Sequence, residues 1–457
     1  MGRAAAAVAA SALLLLHGPS YAGGPLAVGG PGFSNVGQPF LWDASAMPVQ
    51  YRVDPGPLSK QPNGTIVIDH ATGVARVRSM FNNWQNVPTA NISYNNAGDI
   101  LPTGVYTGGP VATVNNFNAV ANSCDAGTQS PIIFDADGSI FAGLGFPAAV
   151  IGFAGPCAVT MSGHIASGIG AMNGRFQDGV SQLQLTAAQF DEAFTHEFGH
   201  FSGLDHSQIN EDVLNQRAGA CNVSELAGLP LMFPFLHCQA RATAGLPTLA
   251  PDDKAWISRF YPVTGTPPAG KTLTSATYGT ISGTVFFTDG ITQAQGVNVI
   301  ARSTSNPQGV AASVVSGYLF TGNLGQTVTC SDPANPTAQT CTNFGGSQFG
   351  SRDPRVAGAY DIPVPAGTYT LEVESISPFF TGGSGVGPLD PPIPNPGQTV
   401  RLPNPVTLAA GQAVNVNITL TGTPPRFDSF ESARLQPREP PVLWQRREDP
   451  VAELRAG

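Results

Sequence analysis

The chain has 457 residues, 42% hydrophobic and 11% charged, with a net charge of −9. That length suits two or three domains, each able to bury a core. The 54 glycines and 41 prolines favour strands, turns and surface loops over helical bundles, and the acidic balance without any basic run argues against a nucleic-acid partner.

At the N-terminus, Arg3 precedes an apolar run from Ala4 to Leu16, and Ser20-Tyr21-Ala22 follows as a small-x-small cleavage pattern. Residues 1–22 therefore read as a signal peptide, and the mature protein is expected to be secreted, with periplasm or cell surface as the alternatives. A membrane anchor is the competing reading, but a spanning helix needs about 20 residues and this run is shorter. No later stretch is long enough to span, so no transmembrane segment is expected after cleavage. The six cysteines (Cys124, Cys157, Cys221, Cys238, Cys330 and Cys341) suit disulfides in an exported chain. Neighbour pairing, 124–157, 221–238 and 330–341, keeps each bridge within one domain; the connectivity stays open. None lies in a C-x2-C zinc pattern.

"PVQYRVD" (Pro48 to Asp54) alternates as a strand does. In "ATGVARVRSMFNNWQNV", Val74, Val77, Phe81 and Trp84 recur at helical spacing. Pro88 stops that helix, "ANISY" (Ala90 to Tyr94) reads as a second strand, and residues 95–130 read as loop. "PIIFDADGSI" (Pro131 to Ile140) is a strand entering an acidic turn, and "GHIASGIGAMNG" (Gly163 to Gly174) is another strand. Thr186 and Gln189 form a capping box for a helix over Ala187 to Ser202, with phenylalanines at 190, 194 and 198 on one face. Gly203 suits the left-handed residue that ends it. "APDDKAWISRFYP" (Ala250 to Pro262) is a further helix, acidic in its first turn. Residues 263–276 form a Pro/Gly/Thr linker. Beyond it, over 277–422, the segments "YGTISGTVFFTDG", "GVNVIARS", "GAYDIPVPAGTYTLEVESI" and "GQAVNVNITLTG" alternate without helical period, which predicts an all-β sandwich. Residues 423–457 combine proline pairs with clustered charge and are expected to be disordered.

The chemistry concentrates in "FTHEFGHFSGLDHS", Phe194 to Ser207, which holds three of the seven histidines. His196 and His200 stand four apart on a helix, so both rings leave one face and can reach one ion. Glu197 is rotated by about 100° from His196, out of reach as a ligand but placed to act on a metal-bound water as general base. Gly203 lets the chain reverse, so His206 returns as the third ligand. Three neutral imidazoles leave a fourth position for water, the mark of a catalytic rather than a structural zinc ion. Ordinary surface histidines are the plainer reading of a bare H-E-x-x-H; the full H-E-x-x-H-x-x-G-x-x-H outweighs it.

"HEFGHFSGLDH" resembles the zinc signature of the metzincin metallopeptidases, most closely the matrixin branch. The resemblance covers about residues 48–262 and is specific at the zinc motif. It implies an α+β catalytic domain over 23–262, a twisted mixed sheet with helices, and one catalytic Zn2+ held by His196, His200 and His206, with Glu197 as acid/base. It implies a methionine turn under the metal, for which Met232 is the one methionine after the motif, and an S1′ pocket walled by Pro234 and Phe235 and apolar in character. Met232 lies further past His206 than matrixins usually place it. No cysteine-switch propeptide is visible. Family members often carry extra structural metals, so Asp135 and Asp137 in "FDADGSIFAGLGF" are candidates for Ca2+, weighed against a solvated acidic turn. His164 and His237 carry no assigned role. The C-terminal segments, above all "GAYDIPVPAGTYTL", resemble carboxypeptidase regulatory-like domains, which are transthyretin-like β-sandwiches. The expected function is a secreted, monomeric zinc endopeptidase acting on protein or peptide substrates. The alternative is a cell-surface binding or adhesion protein with a vestigial or structural metal site; a retained Glu197 argues against it.

Overall fold

The computed structural model describes residues 24–26, 34–35, 38–207, 209, 223–233, 236–294, 297–307, 309–317, 358–375 and 400–421. The leader read at 1–22, the tail read at 423–457, Cys221, Cys330, Cys341, Pro234 and Phe235 lie outside the described residues. The fold is mixed, with several sheets and few helices, in keeping with the α+β expectation.

The N-terminal part runs β1 (Leu41–Trp42), β2 (Val49–Val53), β3 (Ser59–Lys60), β4 (Ile66–Ile68), α1 (His70–Gln85), β5 (Tyr94–Asp99), α2 (Val114–Asp125), β6 (Pro131–Asp135), α3 (Ser139–Gly143), β7 (Gly152–Val159), β8 (His164–Asn173), α4 (Ala187–Phe201), α5 (Val223–Gly228) and α6 (Pro251–Phe260). Its main sheet has the order β1-β8-β6-β2-β5, all pairs parallel, with β7 added antiparallel on β8. Two sequence readings need correction. The strand read at 90–94 begins only at Tyr94, because the segment before it turns to bridge the end of the domain: Asn91 N–H donates to Tyr261 O at 2.6 Å. The loop read at 95–130 contains α2, whose Phe117, Val120, Ala121 and Cys124 are buried. And β7 was not foreseen.

Helix α1 and helix α4 pack together over the sheet. Asp69 caps α1 by accepting from Thr72 N, and Thr186 with Gln189 closes the capping box of α4 as expected. Phe81 stacks on Phe198 with centroids 4.0 Å apart and planes 3° from parallel. Trp84 Nε1 donates to Thr195 O at 2.7 Å, which ties the same two helices by a buried polar contact. Gly152 on β7 lets the ring of Phe194 lie against the strand; a Cβ there would sit 2.3 Å from it.

Residues 263–276 are not a free tether. Lys271 Nζ donates to Gln85 O and Val87 O, capping the C-terminal carbonyls of α1. Thr274 Oγ1 donates to Thr89 O. The chain then enters β9 (Tyr278–Phe286), β10 (Val297–Ser303), β11 (Ala311–Val315), β12 (Ala359–Pro365), β13 (Gly367–Ser375), β14 (Val400–Arg401), β15 (Val406–Leu408), β16 (Ala413–Asn415) and β17 (Ile418–Thr419). These make two sheets, β11-β10-β13-β14 with β15 on β13, and β12-β9-β16 with β17 on β9. Alternate residues such as Val299, Ala301, Leu371 and Val373 from one sheet and Ile281, Val285, Ile362 and Val364 from the other are buried in one core.

Because Phe198 is fully buried and stacked, Phe198→Ala should cost about 3–5 kcal/mol. Urea unfolding of the metal-free chain followed by tryptophan fluorescence measures it, with a shifted midpoint and an unchanged slope.

Candidate metal centre

Helix α4 ends where its last carbonyls find partners. Trp42 Nε1 donates to Phe201 O at 2.9 Å, and Tyr261 OH donates to Ser202 O at 2.7 Å. Gly203 takes φ 89°, as read from the sequence. Gly203 N–H returns to His200 O and Leu204 N–H to Gly199 O, a Schellman closure that reverses the chain within three residues. Leu26 N–H and Gly24 O brace the outside of this turn through Gly203 O and Asp205 N.

The reversal brings His196, His200 and His206 together. Their Nε2 atoms form a triangle with sides of 3.1, 3.0 and 3.0 Å. Among the described residues this is the group of three or more ligating side chains that converges on one point. The tautomers follow from the hydrogen bonds. His196 Nδ1 donates to Leu231 O at 2.7 Å and His200 Nδ1 to Leu204 O at 2.8 Å, so the lone pairs of both lie on the Nε2 atoms that face each other. Lone pairs confined this closely repel one another unless a cation lies between them. The donor set therefore fits a metal ion, and carbonyl-anchored imidazoles are the usual supporting arrangement for one. Burial lowers the basicity of all three rings, to about 4 for His200 and well below the usual value for His196 and His206. They stay neutral, as ligands must be. His206 differs from the other two in that its Nδ1 has no partner among the described residues.

Glu197 is buried, follows His196 on α4 and is not one of the converging ligands. Its Oε2 accepts from Ala154 N on β7 at 2.8 Å. Burial pushes its carboxyl up to about 8, opposed by that hydrogen bond. Met232 lies beneath the helix, where its sulfur presses on Gly199; a Cβ at Gly199 would be 2.3 Å from Sδ. The glycine inside H-E-F-G-H thus makes room for the methionine turn. Asp253 holds that turn by accepting from Leu231 N at 2.8 Å and Met232 N at 3.0 Å.

The other sequence candidates are placed differently. Asp135 accepts from Phe141 N and Asp137 pairs with Lys60 at 3.0 Å, so each carboxylate has a protein partner. Cys124 and Cys157 are bonded, and Cys238 is also in a disulfide. His164 is partly exposed, 3.7 Å from Asp43. His237, left without a role by the sequence, is buried against Glu192 at 2.7 Å. Glu192 also accepts from Arg241 N, and Arg241 Nη1 donates to Leu226 O and Leu229 O. This polar group pins the segment after Met232 to α4 one turn before His196. Glu192 shares the ligand face of its helix, a signal the spacing offered, but its partner lies 45 residues away.

A scan against protein-family models finds no match to the chain, and a search of curated proteins finds none. Among solved structures, the chain is similar to a leucine-rich repeat protein from Bacteroides thetaiotaomicron VPI-5482 at 16% identity, over 34% of this chain and 15% of that one, with a TM-score of 0.15. The match spans well under two thirds of that protein, and a likeness this slight carries no argument about fold or function.

The depressed histidines and the raised Glu197 set the proton count of metal uptake. At pH 6, three ordinary imidazoles would be largely charged and would shed about two protons on binding an ion. Here the rings are already neutral and Glu197 is protonated, so uptake should release about one proton, and Glu197→Gln should abolish that release. Titration calorimetry in buffers of different ionisation enthalpy counts the protons directly.

Proposed function

We propose that this chain is a secreted zinc-dependent endopeptidase, matrixin-like in its catalytic domain. The observation that carries the reading is the convergence of three lone-pair nitrogens with a buried carboxylate beside them that is not itself a ligand. A structural metal site has no use for such a carboxylate; a hydrolytic one does.

His196, His200 and His206 would hold the ion, which when bound polarises the scissile carbonyl and lowers the pKa of a coordinated water. The protein's own residues do the rest. The carbonyls of Leu231 and Leu204 fix the rings of His196 and His200, so the ligands need no rearrangement. Glu197, oriented by the Ala154 N–H, accepts the proton of the attacking water and delivers it to the departing amine. Its raised pKa suits both halves of that task, since a base near neutrality takes and returns a proton readily. Strand β7 pairs only with β8 among the described residues, and Ala154 N turns away from that neighbour. Its outer edge is therefore open to an extended peptide laid down as a further strand, the mode by which sheets bind substrate backbones. The Cys124–Cys157 disulfide and the leader-like N-terminus agree with export. No helix among the described residues is long and apolar enough to cross a membrane.

Glu197→Ala should lower cleavage of casein by at least about 100-fold while keeping a stoichiometric metal ion, and a chelator should abolish cleavage by the wild type. Undiminished cleavage by the variant would contradict the mechanism. Stoichiometric metal without hydrolysis of any peptide would favour a binding protein instead.

A further inference from the structure

Two adjacent carboxylates at the start of α6 face different partners. Asp253 reaches the turn under the histidines, as described, and caps its own helix through Ala250 N at 2.7 Å. Asp252 reaches the β-sandwich. Its Oδ1 accepts from Ser313 N on β11 at 2.9 Å, and one turn later Trp256 Nε1 donates to Ser313 O at 2.8 Å. β11 is the outer strand of its sheet, so the backbone that would be left open on that edge is taken by α6 side chains instead.

Ser313 in turn faces the side chain of Ser207. Ser207 follows His206 directly. Its N–H donates to Met232 O at 2.6 Å, and its hydroxyl lies 3.5 Å from that of Ser313. Two residues on, Ile209 is buried with Ile300 and Ala311 of the sandwich. Asp252, Ser207, Ser313 and Trp256 are each at most 2% exposed. The loop that carries the third histidine is thus gripped from the sandwich side, beginning one residue after the ligand.

This grip meets a need. The rings of His196 and His200 are each held by a carbonyl on Nδ1, whereas the Nδ1 of His206 has no partner among the described residues. A metal-ligating ring without such support depends on its backbone for placement. We propose that the β-sandwich is a working part of the metal centre, in which Ser313, Asp252 and Ser207 act as positioning residues that place His206. The inference rests on the metal-centre reading above. It gives the sandwich a role that a tethered substrate-binding module would not have.

The test uses the full chain with Ser207→Ala, Asp252→Asn and, as a control on the same interface, Asp361→Asn. The control removes the ion pair of Asp361 with Arg259 (2.5 Å) and leaves the grip on Ser207 intact. Zinc affinity is read by competition with a chromophoric chelator, ligand geometry by the visible spectrum of the cobalt-substituted chain, and folding by thermal unfolding without metal. Ser207→Ala and Asp252→Asn should weaken zinc binding by about 10- to 100-fold and shift the cobalt spectrum, while Asp361→Asn changes neither. Ser207→Ala removes one hydroxyl and keeps the test decisive should Asp252→Asn not fold. Wild-type zinc affinity and an unchanged cobalt spectrum in Ser207→Ala would overturn the inference and leave the metal centre standing. A wild-type chain that binds no zinc would overturn both.

Discussion

Nitrogen lone pairs held within 3.1 Å of one another in a buried site repel, and nothing in the three rings themselves would keep them there. The surrounding protein must supply the confinement. It does so with backbone carbonyls on two of the rings, a helix end closed by Gly203, and a methionine fitted under Gly199. Burial keeps the rings neutral and so ready to share a cation, but it also removes the water that would otherwise relieve the repulsion. A buried, metal-free triad is therefore a strained arrangement in which ion binding and folding reinforce each other. The same burial acts on Glu197 in the opposite sense, raising its carboxyl to about 8 in the metal-free chain.

Support for the site passes outward through a short series of polar contacts. Leu231 and Met232 lie under the histidines, Asp253 holds both, Asp252 beside it holds Ser313, whose hydroxyl lies 3.5 Å from that of Ser207, and Ser313 belongs to the second sheet system. On the other flank, Glu192, His237 and Arg241 tie the segment after the methionine turn to the helix that bears the ligands. A chain with few charges places several of them in the interior around one centre, each with a partner, as buried charge requires. The β-sandwich and the linker before it are packed into this arrangement, which makes them part of one folded body with the N-terminal sheet rather than a module on a string.

The centre was the most legible part of the sequence, and for a local reason. Every geometric requirement of His196, Glu197, His200, Gly203 and His206 is met within eleven residues, and a capping box marks the helix that carries them. What the sequence hid is non-local or weakly patterned. Helix α2 was read as loop because its apolar positions at 117, 120, 121 and 124 are separated by asparagines, which favour turns over helices. Strand β7 contains Pro156 and two glycines, tolerable on an edge but misleading to a reader of strand propensity. Among the described residues strand β5 pairs with β2 alone, and its polar run Asn95-Asn96-Ala97-Gly98 gave no alternation, so the reading settled on the apolar residues just before it. For the Pro/Gly/Thr linker, composition cannot show that Lys271 and Thr274 will find the carbonyls of residues 85–89. The pairing of Glu192 with His237 and the grip of Asp252 on Ser313 join distant parts of the chain, and no spacing rule reaches that far.

The claim that three imidazoles share one zinc ion is tested most directly by X-ray absorption spectroscopy at the zinc edge on the purified protein. The account predicts one zinc per chain with three nitrogen ligands of imidazole type and one further oxygen, all at about 2.0–2.1 Å, and no sulfur. A chain that retains no zinc, or a spectrum with sulfur in the inner shell, would contradict it.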